Sequence, residues 1–360
     1  MNERERLIAS LRLEPVDRVP VVSHLQAATV DLMEATGCYW PEANRDARKM
    51  LTLALAVNRI AGLESVKVPF DVALDPTAFG VRTGNDAVDR PPSVMGPIIS
   101  SLEDVERLQV PDPRRDGRPP VVLEALRILD GMDLSIPIFG GVIAPFMLAG
   151  QMRGEEAAIM DVLVEPDMMK GLLAKCAEWG VRYAEAQVEA GADVISLIDA
   201  TASGTILSPE QYEEFALPYQ RRIADAIRSK GAPVILHICG DTASNFEMMI
   251  STGADGLSVD QLMDMRWVKE QTRGRCAAVG NVSPTTTLLF QGPDDVTRSC
   301  REIMEAGTDI LAPGCGIAPR TPLANMQAMA RSARHPEWPE AHRRCGSSDA
   351  LPASPAYHRS

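Results

Sequence analysis

The chain has 360 residues, 45% hydrophobic and 24% charged, with a formal net charge of −13. That length allows a large core in one barrel or two ordinary domains. The acidic balance, with no basic stripe, argues against a phosphate backbone as partner. No apolar run approaches the roughly 18 residues needed to cross a bilayer, so no membrane association is expected.

The opening MNERERLIASLRLEPVDRVP carries charges where a secretory signal requires an apolar stretch, which predicts a cytoplasmic protein. Seven cysteines, at 38, 176, 239, 276, 300, 315 and 345, form no CxxC and lack the density of a disulfide scaffold, so free thiols or metal ligands are expected. RVPVV (18–22) and ESVKVPF (64–70) read as strands beside helices over 27–37 and 46–61. From about residue 130 one unit repeats: a β-branched run, a polar or glycine-containing turn, then a helical stretch of alternating charge and Ala, Leu or Met. The strands are PIFGGVI (137–143), DVISLID (193–199), PVILHIC (233–239), DGLSVD (255–260), CAAVGN (276–281) and DILAPGC (309–315). Between them lie helices over 165–191 and 208–231, the second opened by Ser-Pro-Glu, and glycines at 191, 231, 253 and 307 stop the helices.

Eight strands in this rhythm predict an α/β fold, a single (β/α)8 barrel with an N-terminal helical elaboration, spanning 1–334. An open doubly wound sheet gives the same repetition, but no glycine-rich dinucleotide fingerprint follows any strand. Residues 335–360, rich in Pro, Ser and Arg with little periodicity, read as a loose tail.

In a barrel, Asp199, His237, Cys239, Asp260, Asn281 and Cys315 fall at or just beyond C-terminal strand ends, the face where barrel enzymes build active sites. Alternation sends His237 and Cys239 to one side of their strand, and Cys315, between Gly314 and Gly316, offers a second thiol from another strand end. These three predict a Zn2+ site with an open fourth position, Asp260 being a candidate fourth ligand or supporting group. Read singly, each is better explained as a buried core residue, and it is their coming together at matching strand ends that points to a metal. A zinc held by two thiolates is a weak Lewis acid for hydrolysis, yet it deprotonates a substrate thiol at neutral pH, which points to thiol alkylation by an activated methyl donor. Asp199 and Asp260 are the candidate catalytic carboxylates, although a carboxylate at a strand end also caps neighbouring amides.

At these residues the sequence resembles the uroporphyrinogen decarboxylase superfamily and, within it, the methylcobamide:coenzyme M methyltransferases. The resemblance runs to about residue 334 through ERLIASLRLEPVDRVPV, TGCYWPEA (36–43), GLESVKVPFD (62–71), LSPEQYEEFALPY (207–219), HICGD (237–241), VGNVSP (279–284) and APGCGIAPRTPLANMQAM (312–329). It implies a (β/α)8 barrel, zinc on His237, Cys239 and Cys315, and methyl transfer from a methylated corrinoid, carried by a corrinoid protein partner, to a small thiol such as coenzyme M. Asn281 and Arg320 are then the expected cofactor or substrate contacts, Arg320 and the run Thr285–Thr287 being candidates for a sulfonate. Two other directions remain within the resemblance: a methyl-donor:corrinoid or a corrinoid:tetrahydrofolate methyltransferase. Decarboxylases of the superfamily carry an arginine-containing loop reading like Met-Arg-Gln-Ala-Gly-Arg, whereas the corresponding HLQAATVDL (24–32) has no arginine. Uroporphyrinogen decarboxylation, with Asp199 or Asp260 stabilising a protonated pyrrole, is therefore the weaker alternative, and a non-catalytic corrinoid- or thiol-binding barrel is a third.

Overall fold

The computed structural model describes residues 1–84 and 87–334; the tail expected over 335–360 lies outside them. Strands β1 (Val66–Lys67), β4 (Ile138–Ile143), β5 (Val194–Ile198), β6 (Val234–Ile238), β7 (Gly256–Val259) and β8 (Ala277–Val279) form one parallel sheet in that order, while β2 (Thr83–Gly84) and β3 (Ser93–Val94) form a separate hairpin. Parallel bridges from Val279 to Ile310 and from Val21 to Leu311 add two more walls. The Glu64 amide donates to the Val21 carbonyl (2.8 Å), which returns the chain to β1 and closes the barrel. All eight walls coincide with the runs read from sequence, because each is a β-branched stretch bounded by turn residues.

The wall residues divide by alternation. Val22, Phe139, Val194, Ile235, Ala277, Val279, Ile310 and Ala312 meet inside the barrel, while Leu197, Leu236, Ile238, Leu257 and Leu311 belong to the larger core under the helices. The inner cluster is completed by Leu7 and Leu11 of the N-terminal helix Glu3–Leu11, which plugs one mouth. Asn2 and Glu5 cap that helix reciprocally. Gly256 makes room for the plug, since a Cβ there would stand 3.1 Å from Leu11 Cδ2. Arg6, on the same helix, binds Asp17 (2.7 Å) and the buried Glu64 (3.1 Å), tying the plug to the wall.

Two helices differ from the sequence reading. The stretch over 208–231 is two helices, Pro209–Phe215 and Leu217–Ser229, because Pro218 has no N–H for the carbonyl four residues earlier. The one over 27–37 is shorter, Val30–Thr36. The N-terminal elaboration includes the β2–β3 hairpin and the helices Leu74–Ala78, Leu102–Arg107 and Pro119–Asp130. Among the described residues no helix is long and apolar enough to cross a membrane.

Candidate metal centre

Strand β6 carries Ile235 and His237 on its inner face, and continuing the alternation brings Cys239 over the open mouth. His237 is buried; Cys239 and Cys315 are half-buried. His237 Nε2 lies 3.2 Å from Cys239 Sγ, and the two sulfurs are 3.4 Å apart. That spacing exceeds a disulfide bond and approaches the ~3.8 Å edge of a tetrahedron built on ~2.3 Å metal–sulfur bonds. One donor atom from each of the three residues lies within 4.8 Å of the other two. Gly314 and Gly316 serve close approach: a Cβ at 314 would meet the Gln261 amide nitrogen at 2.7 Å, and one at 316 the Gln26 Cβ at 3.2 Å. The bare turn therefore packs against the turn following β7 and delivers Cys315.

The hydrogen bond between the sulfurs pushes the Cys239 thiol up and the Cys315 thiol down, with burial adding to the rise at Cys239 and opposing the fall at Cys315. One sulfur holds the proton that the other, as thiolate, accepts. Among the described residues the other cysteines, Cys38, Cys176, Cys276 and Cys300, are buried in the core, and burial pushes Cys276 and Cys300 up to about 12.

Beneath the cluster runs a chain of hydrogen bonds that lies outside the motifs read from sequence. His237 Nδ1 is 3.0 Å from Ser258 Oγ, which is 2.9 Å from His24 Nε2; His24 Nδ1 is 3.3 Å from Ser196 Oγ. The last hydroxyl donates to the His24 carbonyl at 2.8 Å. A carbonyl only accepts, so it fixes the polarity of the whole chain. Ser196 donates to the carbonyl and accepts from His24 Nδ1–H; Ser258 donates to His24 Nε2 and accepts from His237 Nδ1–H. His237 Nε2 is left with its lone pair facing the two sulfurs, the tautomer a metal requires. His24 is fully buried, and burial, then His237 and Lys67, hold it well below its usual range, so it is neutral. A signal for these residues was present: 24, 196 and 258 are polar positions in step with the inward Val22, Val194 and Gly256.

The remaining expectations fare differently. Asp260 is buried and its charge acts on Cys239, but its Oδ1 accepts from the Leu262 amide (3.0 Å) and its oxygens are not among the grouped ligand atoms. Asp199, expected to act on substrate, faces the helices instead. Val194 and Ser196 point inward, which turns residue 199 outward, where its carboxylate accepts from the Met147 amide (2.9 Å) and Gln220 Nε2 (2.7 Å). Burial raises its pKa to about 6, with those bonds opposing. It caps the helix Pro145–Arg153. Asn281 spends its Nδ2 on the carbonyls of Asp260 (3.0 Å) and Met263 (2.8 Å), bracing the loop after β7. Arg320 is exposed and ion-paired with Asp89, so the expected sulfonate contact does not look into the barrel.

The uroporphyrinogen decarboxylase (URO-D) family model matches residues 2–335. The chain belongs to the uroporphyrinogen decarboxylase family. Within the family it is 39% identical over 333 residues, 92% of this chain and 97% of the relative, to the methylcobamide:CoM methyltransferase MtbA of Methanosarcina acetivorans. It is 35% identical over 330 residues, 91% of this chain and 96% of the relative, to the methylcobamide:CoM methyltransferase MtaA of Methanosarcina barkeri. A solved structure of a methyltransferase from Methanosarcina mazei superposes with a TM-score of 0.88 at 36% identity, covering 92% of this chain and 98% of that one. For a member of this family the donor set is informative: one imidazole with a free Nε2 and two thiols of which one ionises readily fit a thiophilic, tetrahedral ion, and zinc suits them.

Proposed function

We propose that this chain is a zinc-dependent methyltransferase that moves a methyl group from a methylated corrinoid, carried by a partner protein, to the sulfur of a small thiol, coenzyme M or a close analogue. The observation that carries this reading is the convergence of His237 Nε2 and the sulfurs of Cys239 and Cys315 at the barrel mouth, in a chain similar over nearly its whole length to methylcobamide:CoM methyltransferases.

Held by His237, Cys239 and Cys315, zinc supplies one thing: it lowers the pKa of an acceptor thiol so that the sulfur is nucleophilic at neutral pH. The protein supplies the rest. The cysteines release their shared proton when the site fills, which makes metal loading pH-dependent. The chain Ser258, His24 and Ser196 keeps the His237 proton on Nδ1. The Leu7 and Leu11 plug closes the far mouth, leaving the cluster's own face for acceptor and donor, so that the two reactants meet in one orientation. Residues 24–32 contribute a neutral imidazole to the interior rather than a guanidinium, which supports thiol methylation over porphyrinogen decarboxylation.

The test is methylcobalamin demethylation by zinc-quantified protein, with coenzyme M, homocysteine and tetrahydrofolate offered in parallel, alongside Cys239→Ala. The expected result is one zinc per chain and loss of methylcobalamin driven by coenzyme M, both abolished in the variant. Retention of zinc and full turnover by Cys239→Ala, or turnover with tetrahydrofolate alone, overturns the reading.

A further inference from the structure

The barrel holds a cation that the metal centre does not use. Lys67 lies on β1 between Val66 and Val68, which face the outer core, so its side chain projects inward. Its ammonium lies against the neighbouring strand β4 where that strand has no side chain: a Cβ on Gly141 would stand 3.2 Å from Nζ. Of its three N–H donors one goes to the Pro69 carbonyl, and among the described residues no other acceptor and no carboxylate within ion-pair distance takes the remaining two. The nearby carboxyls are otherwise engaged. Asp71 is held by both terminal nitrogens of Arg118, at 2.9 and 2.8 Å. Asp75 accepts from Trp179 Nε1 and the Ile143 amide, and burial raises its pKa to about 7. Burial lowers Lys67 to about 8, opposed by Asp71 and Asp75, so it still carries its charge at neutral pH. A buried charge without a counter-ion is costly and persists where a ligand completes it.

Its position relates it to the reacting sulfur. Lys67 projects from the second wall, His237 and Cys239 from the fifth, and Cys315 follows the eighth. The charge of Lys67 acts on His24, whose ring centroid is 6.1 Å from that of His237. Resting on the methyltransferase reading, we propose that Lys67 is the specificity-determining residue for the acceptor: its ammonium receives the anionic end, such as a sulfonate, of a short thiol whose sulfur lies at the metal cluster. The requirement for an anionic thiol then comes from inside the barrel, and the rim guanidinium of Arg320 has no part in it.

The experiment compares wild type with Lys67→Met, which keeps the apolar stem and removes a buried charge. Methylcobalamin demethylation is followed with coenzyme M and with 2-mercaptoethanol, which has the same chain length and no charge. Thermal stability is followed with ethanesulfonate, an anion with no thiol, and with ethanol. The expected result is a drop of about 100-fold in the ratio of kcat/KM for coenzyme M over 2-mercaptoethanol, the scale for losing one side of a desolvated charge pair. Ethanesulfonate should raise the Tm of wild type and not of the variant. An unchanged ratio, or an equal fall with both thiols, overturns the assignment, as does an ethanesulfonate shift that survives in Lys67→Met. If wild type demethylates with no thiol, the methyltransferase reading fails, and the ethanesulfonate arm still decides whether Lys67 is an anion site.

Discussion

Ser258→Ala removes one oxygen and tests whether the buried chain sets the metal affinity. The Ser258 hydroxyl is inaccessible to solvent and lies 3.0 Å from His237 Nδ1 and 2.9 Å from His24 Nε2. Without it, His237 either keeps its proton on Nδ1, leaving a buried donor unpaired at about 1–3 kcal/mol, or moves it to Nε2, where it blocks the ligand lone pair. Both routes penalise the metal-bound state, because binding requires the Nδ1–H tautomer, now without an acceptor. The expected loss of zinc affinity is about 10- to 100-fold, or roughly 1.4–2.7 kcal/mol. The measurement is a competition titration against a chromophoric chelator at fixed pH, with urea unfolding of the metal-free protein run separately. Ser196→Ala leaves the Ser258 hydroxyl in place but cuts the chain from the His24 carbonyl at the 3.3 Å contact, so that its polarity is free to reverse. Its affinity should fall by about three- to tenfold, less than that of Ser258→Ala, since the His237 acceptor survives. Zinc binding within twofold of wild type in both variants refutes the relay argument.

Three further expectations concern the frame around the site. Arg118→Lys should lower stability by about 3 kcal/mol in urea titrations, because a lysine cannot reproduce the two-pronged bond to Asp71, whose side chain is 1% exposed; a loss under 1 kcal/mol would show that the pair is dispensable. Leu7→Ala should cost about 2–5 kcal/mol and lower Tm, since it opens a cavity in the plugged mouth; unaltered unfolding would mean that the helix is not a plug. Asp75→Asn tests a pH effect. The folded protein holds a proton on Asp75 up to about pH 7, which the unfolded chain releases near 4, so wild-type stability relative to the variant falls by about 1.4 kcal/mol per unit across that window and is level above it. Parallel stability curves for the two proteins from pH 5 to 8 would contradict the raised pKa.

The barrel was legible because each wall is a compact apolar run closed by Gly, Pro or Asp, and the meeting of His237, Cys239 and Cys315 was legible because HICGD places two of them at an interval of two in a single strand. Facing was not. In β5, Val194 and Ile198 alternate with Ile195 and Leu197, so both faces are equally apolar, as in any parallel strand buried on both sides. Sequence alone therefore could not tell that Asp199 turns to the helices. The same ambiguity concealed Ser196, and it concealed Lys67, which resembles a surface lysine until the barrel closes around it. Arg320 was misplaced for another reason: its partner Asp89 lies 231 residues away, in an excursion whose packing no local pattern describes.

Once facing is known, the interior is ordered by height. Two residues along from Val22, Val194, Ile235 and Gly256 stand His24, Ser196, His237 and Ser258; two further along β6 and β7 stand Cys239 and Asp260. The floor is apolar and sealed by Leu7 and Leu11, so no water reaches the polar layer from below, and that layer must satisfy itself. It does so with a backbone carbonyl at one end and a ligand nitrogen at the other, which makes the lone pair on His237 Nε2 a consequence of the His24 carbonyl four hydrogen bonds away. Lys67 occupies the same sealed interior with two donors unanswered. A layer that satisfies every histidine and serine and leaves one ammonium open has its vacancy where an anion belongs, and the metal affinity and the acceptor's charge are then set by separate residues that can be altered one at a time.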